Sequence, residues 1–399
     1  MVNTVPELVR AAQAAEGQGR QEETLSLWAQ VLAADPVHSV ALLTLGDAAR
    51  RAGRTEEAQR LLSRAVAAAP GLVPARCALA NLLLHRGEPA AAAAHLAVAA
   101  ERGADIPYVW RDIGLLRRVT GDPAGALAAF ERCLELSPGD GAAGLGRSLA
   151  LLRLGRWREG FAAYHHRWSV SARPPRHQRI PAWRGGDPTG QRILVWDEQG
   201  AGDTIMCVRL TRRLMAAGAQ VVLEVPAALV PLFADGRHGT VIARGDEPPP
   251  VDAQVPLLDL PGLLGLEPAA IPWDGAYVEA PADHAAAWGV RLARRNGRPR
   301  IGFSWAGNPA HPGDFWRTPG LAALLPLLER TGADWYALQV ASGREQLDAA
   351  PLPDTVTDLG RAITGWADTA AILPHLDLLI TPDSALAHLA GRSEEHTSE

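Results

Sequence analysis

Three short segments of this chain combine glycine, carboxylate, hydroxyl and guanidinium groups in a way that could handle a charged small molecule. The first is Glu198-Gln199-Gly200-Ala201-Gly202-Asp203-Thr204. Its glycines let the backbone turn sharply and admit a ligand closely, and the helix expected after it offers unpaired N–H groups. In that setting the Asp203 carboxylate can take a proton from an attacking hydroxyl. An N-cap would use the same residue type at the same place. The second runs Trp305-Ala306-Gly307-Asn308-Pro309-Ala310-His311 and on to Asp314, Trp316 and Arg317. Arg317 is permanently charged and bidentate, which suits a diphosphate as well as it suits bulk water. The third is Thr381-Pro382-Asp383-Ser384-Ala385-Leu386-Ala387-His388-Leu389. Backbone N–H groups and the Ser384 hydroxyl can receive a phosphate there, or Asp383 and Ser384 can cap a helix in which His388 is packed.

Several other chemistries lack their residues. The first loop is neither Gly-x-Gly-x-x-Gly nor a Walker loop. Gly302-Phe303-Ser304-Trp305-Ala306 approaches a nucleophile elbow but ends in Ala, and Gly307 and Pro309 interrupt any helix after it. The chain has no Asp-x-Asp and no His-Glu-x-x-His, so no metal site is expected. All 39 basic residues are Arg, which excludes lysine bases and Schiff bases. Cys77, Cys133 and Cys207 are too far apart for a Cys-x-x-Cys pair and suit a reducing compartment.

All three loops require a strand before them and a helix or turn after them. Apolar runs at Ile193–Trp196, Gln220–Val225, Val241, Ala253–Pro256 and Tyr277–Glu279 read as strands, with a helix at Asp203–Ala217. A second series follows at Arg300–Trp305, Trp335–Val340, Val356–Leu359 and Leu376–Thr381, with a helix near Thr369–Leu373. Such alternation predicts parallel sheets covered by helices. The Pro-, Arg- and Gly-rich stretch Ser171–Gly190 reads as a linker before them.

The first half obeys a different rule. Gly19, Gly53, Gly87, Gly121 and Gly155 recur every 34 positions, and Pro36, Pro70 and Pro138 keep the same step, with Ala104 in the missing slot. Leu45-Gly46 and Ile113-Gly114 mark close helix approaches, answered by Ala58 and Ala126 and, a turn later, Leu62 and Phe130. Trp157, Tyr164, His165, His166 and Trp168 read as capping or docking residues of the last unit. This pattern resembles the tetratricopeptide repeat, in four and a half to five units over residues 5–170. The resemblance implies either a concave groove for a peptide or protein, or a rigid spacer.

Taken in order, the three loops resemble the family-nine, heptosyltransferase-like glycosyltransferases, and more closely their bacterial members with fused tetratricopeptide repeats. The matching stretches are Ile193–Ile205, Ile301–Pro309 and Ala367–Ala370 through Asp383–Gly391. The resemblance implies a helical solenoid (1–170), a linker (171–190), and an α/β GT-B fold of two Rossmann-like domains. These are an acceptor domain over 191–298 and a donor-binding domain over 299–391, the second incomplete. It implies inverting, metal-independent transfer from a nucleotide-diphosphate sugar, with no cofactor. Asp203 falls on the family's base, in a loop with Gly200, Gly202 and Thr204; Asn308, Arg317, Asp383, Ser384 and His388 fall on the donor side. The repeats would take a protein or glycan acceptor. The rival is a non-catalytic scaffold with a vestigial sugar-nucleotide fold.

A net charge of -5 argues against a nucleic-acid partner. With neither a signal-peptide pattern nor a long apolar run, the expected location is the cytoplasm. Arg392–Glu399 abandons the Ala/Leu composition and reads as a non-native tail. The family continues past Gly391, so the expectation is a bare sheet edge and a poorly soluble or inactive product.

Overall fold

The computed structural model describes residues 4–171, 174–271, 276–292, 297–309, 314–329 and 332–391. His311, the Trp316 side chain and the tail Arg392–Glu399 lie outside the described residues. The chain divides into two compact units, Met1–Pro174 and Pro175–Glu399.

The first unit is five helical hairpins in series. Its helices are α1 (Val5–Gly17), α2 (Gln21–Ala34), α3 (Ser39–Arg51), α4 (Thr55–Ala68) and α5 (Val73–His85). They continue as α6 (Pro89–Arg102), α7 (Pro107–Val119), α8 (Pro123–Leu136), α9 (Gly141–Arg153) and α10 (Trp157–Ala163). The five periodic glycines all take φ between 70° and 81°, just past the end of each first helix. That left-handed turn is why only glycine keeps the register. Close approach is equally literal: a Cβ on Gly114 would sit 2.7 Å from Phe130 Cε1. The last hairpin is closed by residues 164–170, where His166 lies over Gly144 and Ser169 over Gly141. Buried Arg167 there stacks on Tyr164 and Trp168, at 4.8 and 4.7 Å from the ring centroids.

One carboxylate is trapped inside this array. Asp112 on α7 is 5% exposed and accepts a hydrogen bond from Asn81 Nδ2 at 3.0 Å. Burial pushes its carboxyl up to about 6, against the pull of Arg111, Asn81 and Cys77. The folded group therefore holds its proton to higher pH than the unfolded chain does, and stability is withdrawn as pH rises from about 4 to about 6. Asp112→Asn keeps an acceptor for Asn81. It is expected to add about 1–3 kcal/mol at pH 7.5 and nothing at pH 4 and below, by urea unfolding followed through the helical signal.

The second unit holds two four-stranded sheets in which every pairing is parallel. The first comprises β1 (Arg192–Trp196), β2 (Gln220–Val225), β3 (Thr240–Ala243) and β4 (Ala253–Pro256), in the order β3-β2-β1-β4. The second comprises β5 (Arg300–Phe303), β6 (Asp334–Ala337), β7 (Val356–Asp358) and β8 (Leu378–Ile380), in the order β7-β6-β5-β8. β1 is buried from Ile193 to Trp196 and all four residues of β5 are buried, as expected of central strands covered on both faces. In each sheet the strand order reverses beside the first strand, between β1 and β4 and between β5 and β8. These are the crevices where open parallel sheets take ligands.

Three segments differ from the sequence reading. Tyr277–Glu279 is not a strand: Tyr277 and Val278 are buried as irregular chain, and the Tyr277 carbonyl accepts from the buried His238 Nε2 at 2.8 Å. Within the stretch read as a linker, residues 181–183 pair with β4, since Trp183 N donates to Gln254 O and Gln254 N to Pro181 O, both at 2.8 Å. The segment 282–291, given no element in the sequence reading and lying within the bounds 191–298, forms a helix, Ala282–Arg291, that packs on the helix Trp366–Ile372.

Candidate functional site

The turn after β1 leads straight into the helix Ala201–Cys207, with Gly200 at its N-cap. Asp203 occupies the third helical position, and its Oδ2 accepts the Gly200 N–H at 3.1 Å. Its other oxygen accepts no hydrogen bond among the described residues. Thr204 is buried, its hydroxyl donating to the Gly200 carbonyl at 3.1 Å, so it fastens the turn instead of presenting to a ligand. One turn below Asp203, Cys207 is pushed up to about 12 by burial and by the Asp203 charge, which removes it as a nucleophile.

Gly202 is the point where the two sheets' loops meet. A Cβ there would lie 2.8 Å from His388 Cδ2 and 3.2 Å from Ala385 Cα. The Asp203 helix thus crosses the helix Ala385–Ala390, which follows β8, with clearance for glycine alone. This crossing brings residues 200–204 next to 384–388.

The second loop is rigid at its root. Gln339 Oε1 accepts from the Trp305 and Ala306 N–H groups, each at 3.2 Å, while its Nε2 donates to the Ala306 and Ser342 carbonyls. Beyond it, Asn308 is exposed, and a short helix Asp314–Arg317 returns the chain. Arg317 Nε lies 3.5 Å from Asp314 Oδ1. Both atoms are buried, and neither makes a well-aligned hydrogen bond among the described residues.

Arg317 lines a cleft of about 470 Å³ together with Ser304, Thr318, Leu324, Ile380 and Thr381. Its walls come from the C-terminal ends of β5 and β8, so the cleft occupies the reversal crevice of the second sheet. Hydroxyls run along it: Ser304 Oγ is 2.8 Å from Thr381 Oγ1, which is 3.3 Å from Ser384 Oγ. Ser384 therefore stands at the N-cap of its helix without capping it. Asp383 is 79% exposed on its side chain and 4.0 Å from His388 Nε2. A guanidinium beside neutral hydroxyls, in a space of this size, can hold an anionic group and the small molecule attached to it.

Of the residues singled out from the sequence, the crossing at Gly202 gathers Gly200, Asp203, Ser384 and His388, and Arg317 lies on the cleft. Asn308 and Asp383 are not among the cleft's lining residues. Sequence reasoning missed Ser304, Thr318 and Thr381 as lining. Ser304 sat in the motif set aside as a hydrolase decoy, yet its place at the end of a central strand was the available signal.

The fold now defines a class: an array of tetratricopeptide repeats followed by two parallel α/β sheets. Models of the tetratricopeptide repeat match residues 15–73, 49–112 and 111–165. These matches fall within the first unit and assign no family to the α/β half. Over its length the chain is similar to Protein FlbA of Caulobacter vibrioides (strain ATCC 19089 / CIP 103742 / CB 15), a distant homologue. The two are 24% identical over 379 residues, 87% of this chain and 63% of that one, so the chain spans less than two thirds of that relative's length. Among solved structures, MamA is 20% identical, covering 44% of this chain and all of that one, with a TM-score of 0.35. The thermophilic tetratricopeptide protein TTC0263 of Thermus thermophilus is also 20% identical, covering 42% and 92%, with a TM-score of 0.36. Among the described residues, no helix is long and apolar enough to cross a membrane, and no cluster of His, Cys, Asp and Glu could hold a metal ion.

Proposed function

We propose that the α/β half is an inverting, metal-independent glycosyltransferase whose repeats bind a protein or glycan acceptor. A nucleotide-diphosphate sugar occupies the cleft at β5 and β8, with Arg317 and the Ser304 and Thr381 hydroxyls against its phosphates. Asn308, Asp383, Ser384 and His388 complete the donor side. The acceptor hydroxyl approaches along the first sheet and loses its proton to Asp203 as it attacks the anomeric carbon. Charge growing on the leaving diphosphate is met by Arg317. The observation that carries this reading is the crossing at Gly202, which sets a carboxylate-bearing turn of one sheet beside the turn after β8 of the other. The acceptor domain over 191–298 and the donor domain over 299–391 are part of the proposal.

The test is a thermal-shift series with nucleoside diphosphates and their sugars on the full chain. One class of nucleotide sugar is expected to raise the melt by several degrees at saturation. Arg317→Gln is expected to weaken that ligand about 10- to 100-fold, the worth of a charged hydrogen bond. Failure of every nucleotide sugar to move the melt would overturn the proposal. One observation favours a non-catalytic scaffold instead: an Asp203 oxygen is already engaged in capping its own helix. On that reading sugar nucleotides bind and no labelled sugar is ever transferred.

A further inference from the structure

A cluster of charge lies at the end of the first sheet from which the Asp203 turn departs. Asp197, the first residue after β1, is fully buried, and Glu224 on the adjacent β2 is 1% exposed. Their strands are linked by the Asp197 N–H donating to the Glu224 carbonyl at 3.0 Å. Two buried carboxylates on neighbouring strands repel unless cations are brought to them. Three side chains come from outside both strands to meet them, two of them guanidiniums. Arg244, just past β3, chelates Asp197 through Nε, at 3.2 Å from Oδ1, and Nη2. Arg176 donates Nη2 to the Asp197 carbonyl at 2.6 Å and reaches Glu224 Oε1 at 2.7 Å. His177 Nε2 lies 2.8 Å from Glu224 Oε2.

The cost accepted for this arrangement is visible in the backbone. His177 has φ 54°, and among the described residues it is the single non-glycine at positive φ. Its ring is held against Trp196 at 5.9 Å and 66°, beside Arg176 at 5.0 Å from the same indole. Backbone strain of this kind persists where surrounding contacts over-determine it, and it gathers at functional sites. Arg176 and His177 belong to a strap, 175–183, that ends in the Trp183 pairing with Gln254 on β4. The strap is thereby tied to β1 and β2 at the end of the sheet from which the Asp203 turn departs, and to β4 at Gln254, opposite Leu194.

From this juxtaposition we infer that Asp197, Glu224 and the strap residues Arg176 and His177 are positioning residues for the turn 198–203. They fix where β1 stops and the direction in which Glu198 leaves it, and so place Asp203, without touching substrate. The consequence for transfer rests on Asp203 being the base, whereas the consequence for the turn does not.

Hydrogen exchange by mass spectrometry on the full chain separates the two. Arg176→Gln and Asp197→Asn are expected to speed exchange of amides 198–204 at least tenfold, with β5, β6 and the repeats unchanged. His177→Gly relieves the backbone while deleting the ring, so it is expected to loosen the same turn. Arg176→Lys, keeping the charge, is expected to restore much of the protection. If transfer is observed, the variants are expected to lower kcat at least tenfold with donor KM within about threefold. Unchanged exchange at 198–204 in a folded Arg176→Gln chain would overturn the inference. An inactive wild type whose turn still loosens in these variants would overturn only the transferase reading.

Discussion

Asp203→Asn is expected to lower sugar transfer about 10³-fold while donor affinity stays within about threefold of wild type. General-base catalysis by a placed carboxylate contributes about 10²–10⁴-fold, and the amide cannot accept the proton. The substitution is chosen because, on the proposed reading, Asp203 would do two jobs. Its Oδ2 accepts the Gly200 N–H at 3.1 Å, and an asparagine oxygen can keep that bond and the helix start with it. Loss of turnover therefore reports on proton transfer and not on a frayed turn. Asp203→Ala, which removes both, is expected to cost a similar factor in transfer and a further ~1 kcal/mol in stability. Initial rates with labelled donor, alongside equilibrium binding of the same donor, decide the matter. Transfer unaffected by the amide would remove Asp203 from the chemistry and leave it a helix cap.

How far the sequence could be read depended on the range of the forces involved. The repeats were legible because each unit repeats the same local demands. A left-handed residue at Gly19, Gly53, Gly87, Gly121 and Gly155, and missing side chains at Gly46 and Gly114, recur in fixed register. Central strands were legible for a related reason, being buried on both faces and so written as apolar runs, unbroken at Ile193–Trp196 and interrupted only by Glu224 over Val221–Val225. Tyr277–Glu279 carries the same local signal, but its carbonyl is taken by His238 from elsewhere in the chain and no strand forms. The Asp203 turn and the turn after β8 were visible as motifs, whereas their meeting at Gly202 depends on two helices about 180 residues apart in sequence. The charge cluster was hidden more completely. Arg176 and His177 stand in a stretch whose prolines and glycines look like punctuation, and only their buried partners Asp197 and Glu224 show otherwise.

Asp368→Ala is expected to destabilise the second unit by about 3–5 kcal/mol, the largest stability effect foreseen in the α/β half. Asp368 stands in the first turn of the helix Trp366–Ile372 and is 7% exposed. It accepts four hydrogen bonds: Thr364 N and Oγ1 at 2.8 and 2.6 Å, Trp288 Nε1 at 2.9 Å and His284 Nδ1 at 2.8 Å. Burial pushes the carboxyl up, but the bonds from Thr364, Trp288 and His284 outweigh it and hold the group well below the usual carboxylate range. A depressed folded value means that the contribution is fully present above the unfolded value near 4 and is lost progressively as pH falls below it. Alanine would strand the buried Trp288 N–H and unfasten the helix Ala282–Arg291, which connects the two sheets in sequence. The helix Trp366–Ile372 also meets residues 227–233 beyond β2, so loosening it frees the seam on which the Gly202 crossing depends. Denaturant unfolding of the full chain at pH 7 and pH 3.5 is expected to show a gap between wild type and variant that narrows at the lower pH. A gap below about 1 kcal/mol at pH 7 would show that the four bonds are replaced by water at no net loss, and that the connecting helix is held by its apolar face alone.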